Sequence, residues 1–433
     1  MLAVYKTCIF QLVLFLFDWR PAEGAKARPH LIFLLADDMG WDDVSFHGSP
    51  QIPTPNLDAL AADGIILNNY YVLPYCTPSR AALMTGLYPI RTGMQGVPIG
   101  AAEPSGLPTN VPLMPQYLKE LGYETHLIGK WHLGSYSESV TPTCRGFDTF
   151  YGFHNGDEDY YSRNLTFDHH TGLDFWVNKE PLRPEPGRYS TSLYTARAQH
   201  IIKNHKSSKP LLLVMSYQAV HAAGGAEPLQ APKYNIDKFP YIGERNRTIY
   251  AGETDVSILL SIKFSTVVVI QFTWFRSKRC LLFNSYAAKN FNGSQSALSG
   301  GNVAKLVGLD GYDMWRQLSN GQRSPRAELL YNYDYVFANS TALRNSRYKL
   351  VLDGTRVFNQ RYPAPGGSCQ DLDLDELLDQ STAADVLRKL YRRNRLPLSR
   401  DWRKKATLTC GRAIKQNFPS NTSVYLFDIA ADP

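Results

Sequence analysis

Long apolar runs that end in polar residues constrain the fold of this chain more than any other feature. Arg28–Ala36, RPHLIFLLA, is a continuous apolar run, and Asp37-Asp38 follow it at once. Such a run is typical of a central strand that is buried on both faces of a parallel sheet. Glu124–Ile128 and residues 211–217, LLLVMSY, predict two further strands.

Helical segments lie between these predicted strands. Pro55–Gly64 has proline at its first position and glycine at its end, which is the usual asymmetry of a helix. Leu113–Leu121 predicts a second helix. Alternating strands and helices indicate an α/β fold built in layers, and 433 residues suffice for one large domain or two unequal ones.

Polar residues follow three of the predicted strands where each strand ends. They are Asp37-Asp38, Gly129–His132 and His221. In open α/β sheets the ligand site lies at the carboxyl ends of the strands. We therefore expect an anionic or metal-bound ligand at this edge, the alternative being three unrelated loops.

The chain changes character after about Arg326. Residues 328–337, 346–354 and 423–430 resemble strands joined by irregular segments, so we predict a smaller C-terminal subdomain over 326–433. Arg388–Lys405 contains nine lysines and arginines, which indicates a solvated helix face and linker, or alternatively a glycan-binding patch. The net charge of +7 mildly favours acidic ligands, and we expect no nucleic-acid partner.

The first 24 residues have the pattern of a secretory signal peptide. Lys6 precedes the ten-residue apolar stretch Cys8–Phe17, and the small residues Ala22, Gly24 and Ala25 follow. A membrane anchor needs roughly 20 apolar residues, so this stretch is too short. Asn-x-Ser/Thr sites agree with a secretory route, at Asn164, Asn246, Asn292, Asn339 and Asn421. We expect a lysosomal or extracellular protein.

Cysteine usage leaves an odd thiol. After removal of the leader the cysteines are Cys76, Cys144, Cys280, Cys369 and Cys410. Cys369 and Cys410 flank a basic segment and can close a loop, which makes Cys76 the natural unpaired residue. Cys76 stands at the start of a run of helix formers, CTPSRAALMTG, where negative charge is favoured. It is therefore either a structural cysteine or the precursor of a nucleophile.

Val256–Phe275, VSILLSIKFSTVVVIQFTWF, does not fit this pattern. It has the length of a membrane span with a basic flank, but Lys263 inside it would cost about 2.5–3.5 kcal/mol on insertion. Its β-branched residues favour a buried strand pair instead. A third interpretation is that the stretch is not a selected protein sequence, and all three stay open at this point.

Several motifs in order resemble the sulfatase family. The signature CTPSR at Cys76–Arg80 is preceded by LADDMGWDD at 35–43 and followed by GKWHLG at 129–134. PTPNLDALAADGI, RGFDTFYGFHNGDEDYY and LDGYDMW resemble the arylsulfatase B (N-acetylgalactosamine-4-sulfatase) group with its I and J relatives. The resemblance covers about 30–250 and 298–433. It implies an alkaline-phosphatase-like fold, with a large, mostly parallel mixed sheet flanked by helices and a small C-terminal antiparallel sheet.

The resemblance also implies the chemistry of Cys76. In the family this cysteine is oxidised during secretion to Cα-formylglycine by the formylglycine-generating enzyme, which recognises the positions of Pro78 and Arg80. The hydrate is a geminal diol, in which one oxygen attacks sulfur and the other expels sulfate. The family implies sulfated glycosaminoglycan or aryl sulfate substrates, and especially the 4-sulfate of N-acetylgalactosamine in dermatan and chondroitin sulfate. A phosphoryl hydrolase of the same fold would have Ser or Thr in place of Cys76.

Further roles follow from the same resemblance. Asp37 and Asp38, with the modified Cys76, are expected to bind one Ca²⁺, and Arg80 to neutralise charge near the diol. Lys130 resembles the lysine that contacts sulfate. His132 resembles the histidine that helps deprotonate the diol, and His221 the one that protonates the leaving alcohol.

The chain departs from the family between Glu253 and Ala297, within the expected catalytic domain 28–325. An Asp-Asn-Gly motif with two calcium ligands, and then a second lysine, are expected after Ser265–Val269, but IQFTWFRSKRC follows instead. Residues 222–226 are an extra AAGGA after His221, and Pro433 falls partway through a C-terminal family motif. A gene-model artefact, a splice form or a non-catalytic paralogue that binds sulfated glycans would each explain this. Since Ca²⁺ takes roughly six to eight oxygens, we expect weak calcium binding and little activity.

Overall fold

The structure is a computed structural model. It describes residues 28–67, 72–183, 187–206, 208–257, 267–272, 308–312, 314, 317, 322–334, 340–352, 368–392, 396, 401–407 and 424–429. The predicted signal peptide, residues 1–24, lies outside these ranges and stays a prediction.

The strands and helices alternate through the first part of the chain, as the sequence predicts. The strands are β1 (Leu31–Ala36), β2 (Glu124–Lys130), β3 (Thr149–Phe153), β4 (Asn164–Phe167), β5 (His170–Leu173), β6 (Trp176–Val177), β7 (Glu180–Pro181), β8 (Leu211–Ser216), β9 (Val267–Phe272), β10 (Glu328–Asp334), β11 (Ser340–Asn345), β12 (Tyr348–Leu352) and β13 (Val424–Asp428). The helices are α1 (Pro55–Asp63), α2 (Cys76–Thr85), α3 (Met114–Glu120), α4 (Ser190–Asn204), α5 (Lys233–Ile236), α6 (Arg245–Ser257), α7 (Leu374–Asp379), α8 (Thr382–Tyr391) and α9 (Trp402–Ala406).

The main sheet has seven strands in the order β7-β6-β3-β2-β8-β1-β9. β3, β2, β8, β1 and β9 run parallel, and at one edge β6 pairs antiparallel with β3 and β7 pairs antiparallel with β6. Every residue of β1 and β8 is buried, which explains their continuous apolar sequences. The predicted mostly parallel, mixed sheet is confirmed.

Successive side chains of a strand point to opposite faces, so the strands of this sheet contact helices on both faces. Phe33 and Val214 pack in one core cluster with residues of α2 and α3. Their neighbours Ile32 and Leu213 pack in another with residues of α4. The layered α/β/α arrangement therefore rests on cores on opposite faces of the same strands.

A second sheet lies in the C-terminal part of the chain. It is antiparallel, in the order β10-β11-β12-β13. The sequence predicted β10, β12 and β13, whereas β11 was missed because its residues, STALRN, carry no apolar run. The predicted antiparallel subdomain sheet is confirmed, and the domain boundaries at 28–325 and 326–433 stay a prediction.

The atypical segment Val256–Phe275 is not a single helix. α6 ends at Ser257, and Val267–Phe272 forms strand β9 beside β1. Among the residues that the structure describes, no helix is long and apolar enough to cross a membrane. Residues 267–272 are therefore a strand, while the second strand of the predicted buried pair and Lys263 fall outside the described residues.

The basic segment Arg388–Lys405 is only partly solvated. Arg388 and Lys389 pair with exposed carboxylates on or beside α8. Arg403 instead reaches the buried carboxylate of Asp58, with Nη1 2.6 Å from Oδ2. The prediction of a solvated helix face is wrong for Arg403, because this side chain holds the C-terminal helices against α1.

Candidate active site

The predicted site residues meet at the carboxyl edge of the main sheet. Strands β2, β8 and β1 are neighbours, so Lys130 at the end of β2 and Asp37 after β1 reach the same edge. After β8 the chain runs alongside Asp37. The Asp37 N–H donates to the Ala219 carbonyl at 3.1 Å, and the Val220 N–H donates to the Asp37 carbonyl at 2.8 Å. These bonds bring His221 to the site although it follows β8 by five residues.

A buried ion cluster forms the floor of the site. Lys130 Nζ lies 2.5 Å from Asp37 Oδ2, and both side chains are fully buried. Arg80 Nη2 lies 3.2 Å from the same oxygen without hydrogen-bond geometry, so this contact is ionic. Burial alone would raise the pKa of Asp37, but Lys130 and Arg80 outweigh it and lower the pKa. Asp37 is therefore a carboxylate at any physiological pH.

Arg80 also ties α2 to the sheet. Its Nη1 donates to the Lys130 carbonyl at 3.0 Å and to Ser216 Oγ at 2.6 Å. Ser216 was not among the predicted site residues, and its signal was a hydroxyl at the end of the apolar β8. These bonds hold α2 against β2 and β8, and so fix the position of the first residue of α2.

Cys76 is that first residue, as the sequence predicted. Its Sγ lies 3.4 Å from Lys130 Nζ. Cys76 Sγ, an Asp37 carboxylate oxygen and a His221 ring nitrogen lie within 4.8 Å of one another. The start of α2 leaves backbone N–H groups without helical partners on this side, which favours an anion. The thiol therefore stands between a cation, an anion and a histidine.

His221 is held as a cation. Its Nδ1 lies 2.7 Å from the Ala222 carbonyl, and its Nε2 lies 3.6 Å from Asp38 Oδ2. Burial and Lys130 would lower the pKa of His221. A hydrogen bond with Cys76 and the charges of Asp37 and Asp38 outweigh them and raise the pKa to about 9. The imidazolium can therefore act as a proton donor at neutral pH.

His132 is held in the opposite state. Its Nε2 lies 3.0 Å from the Ile99 carbonyl, which can only accept a hydrogen bond, so Nε2 carries the proton. Burial first and Lys130 second lower the pKa of His132 well below its ordinary value. Nδ1 is buried and finds no hydrogen-bond partner among the described residues. His132 is thus a neutral imidazole with an available lone pair on Nδ1.

The backbone around His132 is fixed by Thr77, which belongs to the CTPSR signature but was not among the predicted site residues. Thr77 Oγ1 donates to the His132 carbonyl at 3.0 Å and accepts from the Ile99 N–H at 3.1 Å. His132 itself has a φ of 59°, and Asp38 has a φ of 57°. Such left-handed conformations cost free energy in residues other than glycine, and they persist where neighbouring contacts impose them.

Asp38 completes a pair of adjacent carboxylates. Burial first and Asp37 second raise the pKa of Asp38 to about 6. Two carboxylates this close favour a cation beside them, and oxygen ligands suit Ca²⁺. Among the described residues, however, the ligand atoms close enough to share one ion belong to Asp37, Cys76 and His221, so the predicted ligand set of Asp37, Asp38 and Cys76 stays a prediction.

The chain departs from expectation at the Asp-Asn pair that was predicted to complete the metal site. β9 is parallel to β1, with Phe272 in register with Ala36, one residue before Asp37. The sequence that follows Phe272 is TWFRSKRC, without a carboxylate or an amide. The expected Asp-Asn pair is thus missing from the stretch of sequence that follows the strand beside Asp37.

The structure describes two of the other cysteines. Cys144 and Cys369 are exposed free thiols. Cys280 and Cys410 fall outside the described residues, and because Cys369 is a free thiol the predicted loop closure between Cys369 and Cys410 is not seen.

Comparisons with known proteins identify relatives of this chain. The sequence pattern of the Sulfatase family matches residues 29–347. Arylsulfatase J of Mus musculus is 37% identical over 370 residues, 74% of this chain and 61% of the mouse protein. N-acetylgalactosamine-6-sulfatase of Homo sapiens is 34% identical over 254 residues, 55% of this chain and 46% of the human protein. The chain thus spans less than two thirds of the length of these relatives.

Solved structures share the fold. Ps i-CgsB in complex with k-i-k-neocarrahexaose has a TM-score of 0.64 at 22% identity, over 86% of this chain and 94% of its own. The PsFucS1 sulfatase from Pseudoalteromonas sp. has a TM-score of 0.56 at 21% identity, over 75% of this chain and 78% of its own. At these identities the likeness bears on the fold alone. Sulfatases generally depend on formylglycine and a metal ion, and by the match over residues 29–347 this chain belongs to the sulfatase family.

Proposed function

We propose that this chain is a sulfuric ester hydrolase that uses a formylglycine derived from Cys76. The observation that carries the proposal is the position of Cys76 Sγ, at the start of α2 and 3.4 Å from Lys130 Nζ. In the mature enzyme this sulfur would be replaced by the oxygens of the hydrated formylglycine. One of those oxygens would attack the sulfate sulfur, and the other would later expel sulfate.

The surrounding cations suit an anionic substrate. Lys130 is fully buried and keeps its charge, because Asp37 and Cys76 offset the burial that would lower its pKa. Together with the N–H groups at the start of α2, Lys130 Nζ would orient the sulfate and stabilise charge that develops on its oxygens.

The two histidines suit opposite proton transfers. His221 is cationic and would donate a proton to the ester oxygen as the S–O bond to the alcohol breaks. His132 is neutral with a lone pair on Nδ1, and it would accept the proton of the remaining hydroxyl as sulfate leaves. Two titratable groups whose surroundings shift their pKa values in opposite directions commonly serve as an acid and base pair.

Asp37 and Asp38, with an oxygen at position 76, would hold Ca²⁺. The bound ion would supply Lewis-acid polarisation of the sulfate. We propose the 4-sulfate of N-acetylgalactosamine in dermatan or chondroitin sulfate as the substrate, on the motif resemblance to the arylsulfatase B group. Comparing turnover of 4-sulfated and 6-sulfated disaccharides would test this choice.

Maturation would require the formylglycine-generating enzyme in the secretory pathway. Residues 77–80 are all buried in the folded chain. The modifying enzyme would therefore have to read the signature before α2 packs against the sheet. Conversion replaces the thiol by an aldehyde, with loss of hydrogen sulfide and gain of one oxygen atom, which the mass of the peptide over residue 76 reports.

The test is calcium-dependent hydrolysis of a chromogenic aryl sulfate by the secreted chain. With the reduced ligand set we expect turnover to need calcium on the order of 10⁻⁴ to 10⁻³ M, as in weak sites. Cys76→Ala should abolish turnover, and Asp38→Asn should raise the calcium requirement. Asp42→Asn, an exposed acid four residues away, should leave both unchanged.

A second candidate function is the binding of sulfated glycans without turnover. The lack of an Asp-Asn-Gly motif between Glu253 and Ala297 favours it. A chain whose Cys76 is fully converted but which hydrolyses nothing at any calcium concentration would support this candidate and exclude the hydrolase. Full turnover at micromolar calcium would instead show that other residues complete the metal site.

A further inference from the structure

Three side chains at the carboxyl edge of the main sheet form a cluster of mixed ligand types. A carboxylate oxygen of Asp37, the Sγ of Cys76 and a ring nitrogen of His221 lie within 4.8 Å of one another. The cluster thus offers one oxygen, one sulfur and one nitrogen. The proposed hydrolysis uses position 76 only after its sulfur has been lost, so it does not use these three atoms together while the thiol is intact.

This mixed set suits a different metal from the one proposed for the mature enzyme. Ca²⁺ takes roughly six to eight oxygen ligands, and the sulfur of a thiolate is a poor ligand for such a hard ion. Zn²⁺ is bound by thiolate, imidazole and carboxylate groups, and three protein ligands with a fourth position open are typical of its catalytic sites. The types of ligand atom therefore indicate zinc rather than calcium while Cys76 is a thiol.

His221 is oriented as a metal ligand. Its Nδ1 lies 2.7 Å from the Ala222 carbonyl, which can only accept a hydrogen bond, so Nδ1 carries a proton. The nitrogen that can bind an ion is therefore Nε2, where the ion would take the place of a proton. A metal-binding histidine almost always donates its other N–H to a carboxylate, a backbone carbonyl or a water molecule. The hydrogen bond from the Val220 N–H to the Asp37 carbonyl holds this part of the chain beside Asp37.

Asp37 is held in place by two cations. Its Oδ2 lies 2.5 Å from Lys130 Nζ and 3.2 Å from Arg80 Nη2. Carboxylates that bind metals are in turn held by hydrogen bonds from neighbouring residues, which fix their orientation. Asp37 is buried, whereas Cys76 and His221 are half-buried, so an ion can reach the cluster from their side.

The charges around the cluster agree with a divalent cation. The carboxylates of Asp37 and Asp38 and a thiolate at Cys76 outnumber the cations Lys130 and Arg80, which contact Asp37. A doubly charged ion would make the site positive, and a single anion at the open coordination position would restore neutrality. Zinc at this position is therefore compatible with the buried cations beside it.

The ligand atoms need only a small shift to enclose the ion. Zn–S distances are about 2.3 Å and Zn–N and Zn–O distances about 2.0–2.2 Å, so tetrahedral ligand atoms lie roughly 3.4–3.7 Å apart. A cluster within 4.8 Å has to contract by little more than about 1 Å to reach this geometry. Rotation of the half-buried Cys76 and His221 side chains can supply that movement, while Lys130 and Arg80 keep Asp37 in place.

We propose that the unconverted chain, in which residue 76 is still cysteine, binds one Zn²⁺ through Cys76 Sγ, Asp37 and His221 Nε2, with a fourth coordination position open. Conversion to formylglycine would replace the sulfur by oxygen and leave a set that favours a harder ion. The atom at position 76 would thereby select the metal. This last step rests on the proposed conversion of Cys76, whereas zinc binding by the thiol form does not.

The test uses the full chain from a host without the formylglycine-generating enzyme, with the thiol at residue 76 confirmed by peptide mass. Zn²⁺ affinity is measured by competition with a chromogenic chelator. Co²⁺ serves as an optical probe, because a thiolate ligand gives a charge-transfer absorption that oxygen ligands do not give. We expect this absorption with the unmodified chain, and we expect Zn²⁺ but not a large excess of Ca²⁺ to remove it.

Cys76→Ser replaces the sulfur by oxygen with little change in volume. Loss of a residue that only supports a ligand costs about 10–100-fold in metal affinity. Loss of the Cys76 ligand itself should therefore weaken Zn²⁺ binding by at least about 100-fold and remove the Co²⁺ absorption. His221→Gln should also weaken binding. Cys144→Ser makes the same exchange at an exposed free thiol, so it is the matched control and should change neither measurement.

Thermal midpoints measured without metal confirm that each variant is folded. Added Zn²⁺ should raise the midpoint of the unmodified chain and of Cys144→Ser, but not that of Cys76→Ser. Equal Zn²⁺ affinity in the folded Cys76→Ser variant, or displacement of Co²⁺ by Ca²⁺ from the unmodified chain, would overturn the proposal. The test needs neither conversion of Cys76 nor turnover of a sulfate ester, so a failure of the hydrolase assay leaves its result unaffected.

Discussion

His132 and His221 show how surroundings decide the role of one residue type. Burial lowers the pKa of both rings. Lys130 lowers both pKa values further, but two carboxylates and a hydrogen bond with Cys76 reverse the effect for His221. The sequence could place both histidines after strands, and the family resemblance could suggest their roles. Their protonation states depend on contacts across the sheet edge, which no local pattern contains.

A third histidine makes a prediction about stability in acid. His47 is 7% exposed and stacks on Trp41 with the ring centroids 3.5 Å apart. Burial lowers the pKa of His47 from 6.5 to about 4. Above pH 6.5 the ring is neutral in the folded and unfolded chains alike. As the pH falls from 6.5 towards 4, only the unfolded chain takes up the proton, which lowers the free energy of unfolding by up to about 3 kcal/mol.

His47→Phe keeps the stacking and removes the titrating group. We expect its thermal midpoint to fall less than that of the unmodified chain between pH 7.5 and pH 4.5. For each protein, only the change in thermal midpoint between the two pH values is compared. The lost hydrogen bond to the Trp41 carbonyl changes stability equally at all pH values, so it does not affect this difference. Parallel decreases in the two proteins would contradict the assignment.

Elements with continuous apolar sequences were the predictable part of this fold. β1, β2, β8, α1 and α3 agree with the sequence predictions to within a few residues. The strands of the main sheet and the β4–β5 hairpin that were not predicted lack long continuous apolar runs. β4 and β5 contain exposed polar residues, β6 and β7 have two residues each, and β3 is interrupted by Gly152. Their positions are decided by pairing with a neighbour rather than by their own periodicity.

Close strand packing at Gly129 gives a prediction at this scale. Gly129 on β2 is paired in register with Ser216 on β8 and has a φ of +96°. A Cβ there would lie 1.9 Å from the Ser216 carbonyl oxygen, which belongs to the backbone and cannot rotate away. Gly129→Ala should therefore separate β2 from β8, displace Lys130 and prevent secretion of folded protein.

Gly93→Ala separates this clash from the cost of backbone conformation. Gly93 has a φ of +72°, and a Cβ there would meet nothing within 4 Å. Its substitution should cost only the left-handed conformation, about 1–2 kcal/mol. The measurements are secreted yield and thermal midpoint. If the two variants were secreted equally well with equal midpoints, the tight packing of β2 on β8 would be disproved.

At the scale of the whole molecule, the C-terminal helices share a core with the first helix. Leu57 of α1 belongs to the same buried cluster as Leu378 of α7, Ala384 of α8 and Trp402 of α9. Leu57 is more than 300 positions away from each of the other three in the chain. The sequence indicated a separate C-terminal subdomain, because no pattern within either segment reveals a contact over that distance.

The ion pair between Arg403 and Asp58 tests this attachment. Asp58 is 1% exposed and also accepts from the Ser45 and Thr54 hydroxyls. Arg403→Met would leave its carboxylate buried without a cation, at a cost of about 3–5 kcal/mol, and Asp58→Asn in the same chain should restore much of the loss. Arg388→Met removes a pair with the exposed Asp379 and should cost about 1 kcal/mol or less. The thermal midpoint and the rate of proteolysis within 368–407 measure both effects, and similar values for Arg403→Met and Arg388→Met would rule out Arg403 as the anchor.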